Sequence, residues 1–143
     1  MKIKIATVAM LLAFAPLHAE EQAPDPIDVK LNASIDKNFS TRGMVVAYSA
    51  AREAWKKDIQ SSLAAMKYFM SPEEVDSIVT SQKAWEVFFS TETATLSKIH
   101  SSMKGTMWGV GSVVHEMNLY KERALSLRRC LETLSRREAQ IDN

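Results

Sequence analysis

From Val110 to Leu134 the residues Val110, Val113, Met117, Tyr120, Ala124, Leu127, Leu131 and Leu134 recur at alternating steps of three and four with no polar residue in the series. At 3.6 residues per turn this places eight apolar side chains on one face of a single long helix. Such a stripe has to be covered by stripes on other helices, and two further segments supply them. The first carries Val45, Tyr48, Trp55, Ile59, Met66 and Phe69, interrupted by Arg52 and Ser62. The second carries Val75, Ile78, Trp85, Phe89, Leu96, Ile99 and Met103, with Gln82 and Glu92 inside the stripe. No segment shows the period-two alternation that a strand requires.

The boundary between these two segments is written in the chain. Ser71-Pro72-Glu73-Glu74 offers an N-cap serine, a proline at the first helical position and a glutamate three residues after the cap, which is the signature of a capping box. The second helix is therefore expected from Pro72 to about Met103, with Glu73, Glu74, Asp76 and Glu86 forming an acidic surface. A turn is expected at Gly105. Gly105, Gly109 and Gly111 each cost a helix about 1 kcal/mol relative to alanine, so the last helix is expected to start late or to pack its first turn closely. Long helices joined by short turns have one economical packing, and the expected fold class is all-α: an antiparallel up-down-up bundle of three long helices.

The N-terminus is of a different character. Lys2 and Lys4 precede an almost wholly apolar run from Ile5 to Ala15, and Leu17-His18-Ala19 ends in a small residue before Glu20-Glu21. That is the layout of a secretory signal, with cleavage expected after Ala19. As a helix the apolar run covers roughly half of a ~30 Å hydrocarbon core, so no stable membrane anchor is expected. The chain then divides into a signal peptide over 1–19, a loose arm over 20–40 with at most one short helix near Val29 to Ile35, and a helical domain over 41–143. The expected location is periplasmic or secreted.

Loss of Lys2 and Lys4 leaves 16 basic against 17 acidic residues, so the +1 charge of the full chain becomes −1. Nucleic acid is not expected as a partner of a chain so balanced. Lys121, Arg123, Arg128, Arg129, Arg136 and Arg137 gather near the C-terminus, but Glu116, Glu122, Glu132 and Glu138 are interleaved with them, the pattern of an ion-paired helix face. Cys130 is the sole cysteine; no intramolecular disulfide can form, and a buried thiol is expected.

No catalytic pattern stands out. After signal removal only His100 and His115 remain, and a turn near Gly105 would offset them by about 7.5 Å along the helix axis, so no shared metal is expected. Thioether and imidazole at His100, Met103 and Met107 would suit copper on one continuous helix, but Gly105 interrupts it. Gly109-Val110-Gly111-Ser112 lacks the second glycine of a nucleophile elbow, and nothing in the sequence pairs Ser112 with a base. No enzyme activity, metal or cofactor is expected.

Three phrases are more informative together. Ser81-Gln82-Lys83-Ala84-Trp85, Lys104-Gly105-Thr106-Met107-Trp108 and Glu122-Arg123-Ala124-Leu125-Ser126-Leu127 resemble, in order and spacing, the LprI-like lysozyme inhibitors, a family of small exported bacterial proteins. The resemblance spans about Trp55 to Leu134. Where the family usually carries a tyrosine this chain has Ser62, and where an arginine commonly follows the second-helix tryptophan it has Phe89-Ser90, so no role tied to those two residues is carried over.

The resemblance implies a helical, non-enzymatic envelope protein whose partner is lysozyme or another peptidoglycan hydrolase. A blocker of lysozyme's two-carboxyl cleft benefits from a cation or hydroxyl protruding near a sharp turn, and Lys104, Thr106 and Trp108 are the candidate binding residues. Trp55, Asp58, Gln82, Trp85, Glu92, Gly105, Met107 and Arg123 belong to the family motifs and are expected to be structural. Arg123 is expected to tie to Gln82 or Glu92. The alternative function is an immunity or adaptor protein that binds a secreted partner through its acidic second helix.

Overall fold

The computed structural model describes residues 23–105 and 107–141; the expected signal peptide and Thr106 lie outside them. It holds four helices: α1 (Pro26–Lys37), α2 (Thr41–Met66), α3 (Pro72–Ser101) and α4 (Met107–Ile141). The all-α expectation holds among the described residues. The described helices number four: besides the three long ones, α1 stands where one short helix was allowed for near Val29 to Ile35, and it runs for 12 residues through the segment expected to be a loose arm.

Each of the first three helices starts on a side-chain cap. Asp25 accepts from the Ile27 N–H at 2.9 Å and Ser40 from the Gly43 N–H at 3.0 Å. Ser71 and Glu74 form the reciprocal box read from the sequence, at 3.3 and 2.8 Å. The α1–α2 turn folds back on itself so tightly that a Cβ on Gly43 would lie 2.2 Å from the Asn38 carbonyl oxygen. Only glycine fits there.

Polar side-chain contacts between the helices show their directions. Arg52 meets Glu116 at 2.6 Å and Asp58 meets Arg128 at 2.7 Å, so α2 and α4 run parallel. Glu74 meets Arg137 at 2.6 Å and Gln82 meets Arg123 at 3.1 Å, so α3 returns antiparallel to α4. Asp25 and Asp28 of the α1 end meet Arg128 and Lys121, at 2.5 and 2.6 Å, which lays α1 antiparallel to both α2 and α4.

The core sits where α1, α2 and α4 meet. Leu31, Ala47, Ala51, Trp55, Ile59 and Met66 pack there against Met117, Ala124, Leu127 and Leu134. Alanines at 47, 51 and 124 let the backbones approach closely, and Trp55 and Met66 fill the remaining space with no exposure. Of the two polar residues that interrupt the α2 stripe, Ser62 is buried and Arg52 is engaged by Glu116.

Helix α3 departs from the expected bundle. It packs on α4, its backbone stays apart from α2, and none of its residues is buried. The stripe Val75, Ile78, Trp85, Phe89 and Leu96 does face inward, but only one neighbouring helix covers it, and each of these side chains is partly exposed. The core is a three-helix core of α1, α2 and α4, and α3 is an outer layer laid along one of its edges.

Candidate functional site

The α3–α4 hairpin ends in a built tip. α3 stops at Ser101, and Gly105 turns the chain with a φ of +114°, a conformation that favours glycine. Two residues past the uncharacterised position 106 the Trp108 indole N–H donates to the Lys104 carbonyl at 3.0 Å, closing the turn. Lys104 and Trp108 are both exposed, as the sequence required of a binding tip; Thr106, the third candidate, lies outside the described residues. Met107 was expected to be structural and is instead 59% exposed. Ile99, Met103 and Trp108 leave 45%, 42% and 39% of their surface open at the same end of the molecule.

Beneath the tip lies a groove of about 350 Å³, lined by Leu96, His100, Met107, Trp108, Gly111 and His115. The His100 ring lies 5.5 Å from Trp108, tilted by 34°. Its Nδ1 is 2.6 Å from Ser112 Oγ, so Ser112 does have an imidazole beside it, contrary to the sequence reading. The Ser112 oxygen also lies 3.1 Å from the Trp108 carbonyl of the preceding turn, so its hydroxyl has two acceptors within reach. Across α3, His115 Nε2 stands 3.8 Å from Glu92 Oε1 and is buried with no hydrogen-bond partner.

The remaining motif residues are structural in their contacts. Arg123 ties to Gln82 and not to Glu92: its guanidinium donates to Gln82 Oε1 at 3.1 Å and to Ser81 Oγ at 3.3 Å, and the Gln82 amide donates onward to Glu86 at 3.1 Å. Burial pushes the Arg123 guanidinium below its ordinary value, since among the described residues no carboxylate pairs with it. Trp85 joins Phe89 and Tyr120 in an aromatic cluster, with ring centroids 4.7 to 5.4 Å apart, that fastens α3 to α4.

Trp55 is completely buried, with Lys121 and Arg128 lying 5.8 and 5.3 Å from its ring. Asp58 shares Arg128 with Asp25. Burial raises the Asp25 carboxyl, but the Ile27 N–H, Arg128 and Lys121 outweigh it and hold the group below its usual value. Of the basic residues of α4, Lys121, Arg128 and Arg137 pair with Asp28, with Asp25 and Asp58, and with Glu74, and Arg136 meets Glu132 within the helix at 3.9 Å. Cys130 is half-buried, less covered than expected. Among the described residues no group of three or more histidine, cysteine or carboxylate side chains is placed to hold a metal, and no helix is long and apolar enough to cross a membrane.

Neither a protein-family model nor a curated protein matches the chain. A crystal structure of an uncharacterized protein from Burkholderia thailandensis is similar, with a TM-score of 0.73 at 22% sequence identity over 79% of this chain. The matched region is 57% of that protein, so the chain spans little more than half its length. The likeness shows that the helical arrangement recurs in a solved structure.

Proposed function

We propose that this is a non-enzymatic binding protein of the cell envelope, exported by its N-terminal segment, that blocks lysozyme or another peptidoglycan hydrolase with the α3–α4 tip. The observation that carries the reading is the exposure of Ile99, Met103, Met107 and Trp108 at one hairpin end beside the cation of Lys104. Four large apolar side chains left open together mark a contact surface. A tryptophan anchor within a polar rim is the composition of an interface hot spot. The bond from the indole to the Lys104 carbonyl holds Trp108 in place before any partner arrives, which lowers the ordering cost of binding. Lys104 supplies the charge that a cleft with two carboxyl groups attracts, and the resemblance to LprI-like inhibitors points the same way.

Isothermal titration against lysozymes of several classes tests this. A one-to-one complex is expected with at least one class, weakened about thirtyfold or more by Trp108→Ala, the loss of a typical hot-spot residue of about 2 kcal/mol. Absence of heat with every class, or equal affinity of the variant, removes the reading.

A second reading, an immunity or adaptor protein, draws on a different observation. α3 has no buried residue and leaves Val87 and Phe88 open on a helix that also exposes Glu73, Asp76 and Glu86. It predicts that an envelope extract yields one stoichiometric partner, lost on Phe88→Glu and retained on Trp108→Ala.

A further inference from the structure

Helix α3 is covered on one side only. Ile78, Trp85 and Phe89 turn toward α4 and the core, while the opposite side of the same helix is open along its whole length. At the centre of that open side stands Val87, 67% exposed, with Phe88, 50% exposed, beside it. Two adjacent apolar side chains held in water at the midpoint of a 30-residue helix favour a covering surface.

Around Val87 exposed positions recur outward at 4, 7 and 11 residues in both directions: Lys83 and Thr91, Thr80 and Ala94, Asp76 and Lys98. These steps keep to one face of a helix. The Thr80 and Thr91 hydroxyls donate to the Asp76 and Val87 carbonyls, both at 2.9 Å, so they ask nothing of a neighbouring surface.

The ends of this face carry opposite charges. Asp76 and Lys98 are separated by 22 positions, about 33 Å along the helix, and cannot meet each other. Among the described residues neither takes part in an ion pair.

A second copy of α3 laid antiparallel across Val87 answers both features. The two-fold axis sets Val87 on Val87, Thr80 on Ala94 and Lys83 on Thr91, and it brings Asp76 of each copy to Lys98 of the other, twice by symmetry. The direction is fixed by charge, since a parallel pair would set Asp76 on Asp76 and Lys98 on Lys98.

We propose that the outer face of α3 is a dimer interface, in which two copies of the chain pair antiparallel about Val87. With α3 about 45 Å long and a helix about 10 Å across, the footprint on each copy is roughly 450 Å², at the small end of specific interfaces. The dimer therefore forms and dissociates with concentration. The two α3–α4 tips lie at opposite ends of the pair, so the pairing does not rest on hydrolase blocking. It does take the face that the adaptor reading uses, and the test separates the two.

Sedimentation equilibrium of the purified protein, from about 1 µM to about 1 mM, reads the pairing directly. The mean mass is expected to climb from one chain toward two across that range. Asp76→Lys and Lys98→Asp each set like charges together at both ends, and each is expected to raise the dissociation constant about tenfold or more. The two changes combined exchange the charges and should restore the parent's constant to within about threefold. Val87→Glu, at the axis, should leave a monomer, and all four variants should keep the parent's helical circular dichroism because every altered residue is exposed. A protein that is monomeric at every concentration, including one that holds an extract protein on this face instead, overturns the proposal. So does a dimer that survives Val87→Glu, a constant that neither single charge change moves, or a charge exchange that recovers nothing.

Discussion

Replacing Arg128 by alanine should unlock α1 from the rest of the molecule. The guanidinium bonds Asp58 through Nε at 2.7 Å and Asp25 through Nη1 at 2.5 Å, and it lies 5.3 Å from the Trp55 ring. The Asp25 and Asp58 side chains are only 14% and 21% exposed, against 35% for Arg128. Stranding one charge of a fully buried pair costs about 3–5 kcal/mol, and breaking an exposed pair costs about 0–1 kcal/mol. The intermediate burial here, with solvent screening the arginine side, places the cost at about 2 kcal/mol, including about 0.5 kcal/mol of cation–π contact. For a domain of this size that lowers the melting temperature by about 8 °C.

Urea unfolding followed by circular dichroism measures the free energy, and amide exchange locates it, with faster exchange expected in α1 than in α3. Adding Asp58→Asn to the variant should restore part of the loss by removing the repulsion between the two stranded carboxylates. A change below about 0.5 kcal/mol, or exchange that quickens equally in all helices, would refute the assignment of Arg128 as the clasp of α1.

Gly43→Ala should destabilise by about 1 kcal/mol: the clash with Asn38 costs about 2 kcal/mol and the gain in helix propensity returns about 1. Thermal melting checks it, and a stabilised variant would contradict the close turn. The Glu74 carboxyl is held down to about 2, from an ordinary value of 4.5, first by the Arg137 hydrogen bond and then by the Ser71 N–H. A lowered carboxyl contributes stability that is full above its unfolded value and is lost as the pH falls from about 4.5 through about 2. Glu74→Gln should flatten the acid limb of the stability curve over that window, and an unchanged limb would count against the bond. Trp108→Ala should lower the melting temperature by no more than about 4 °C, the loss of about one hydrogen bond at a residue that lies outside the core; a much larger drop would make the tip part of the core.

Local signals were fully legible in the sequence. The Ser71 box and the Gly105 turn each depend on neighbours within a few residues, and both stand where their residue types put them. The stripes of α2 and α4 also read true, because a face that many residues share survives small errors of register. What the sequence could not carry was contact between distant positions. Asp25 and Asp28 look like the solvated acids of an arm until Arg128 and Lys121, about a hundred residues on, come into place.

The α3 stripe was read as a core face, but periodicity shows only that a face is apolar, not how many helices cover it. Met107 shows the same limit at the site, since a methionine at helical spacing gives no sign that its helix has just begun and has no neighbour beyond it. The partnership of His100 with Ser112 was invisible for a related reason. It depends on how α3 and α4 rotate against each other, which no count along the chain contains.

The decisive measurement is the lysis of a peptidoglycan suspension by lysozyme, followed as turbidity, with the purified protein added in increasing amounts. A hydrolase-blocking tip predicts that lysis slows with dose, that Trp108→Ala and Lys104→Glu relieve the block, and that Phe88→Glu on the outer face of α3 does not. Undiminished lysis at molar excess across the lysozyme classes, or a block that survives both tip substitutions, would contradict it.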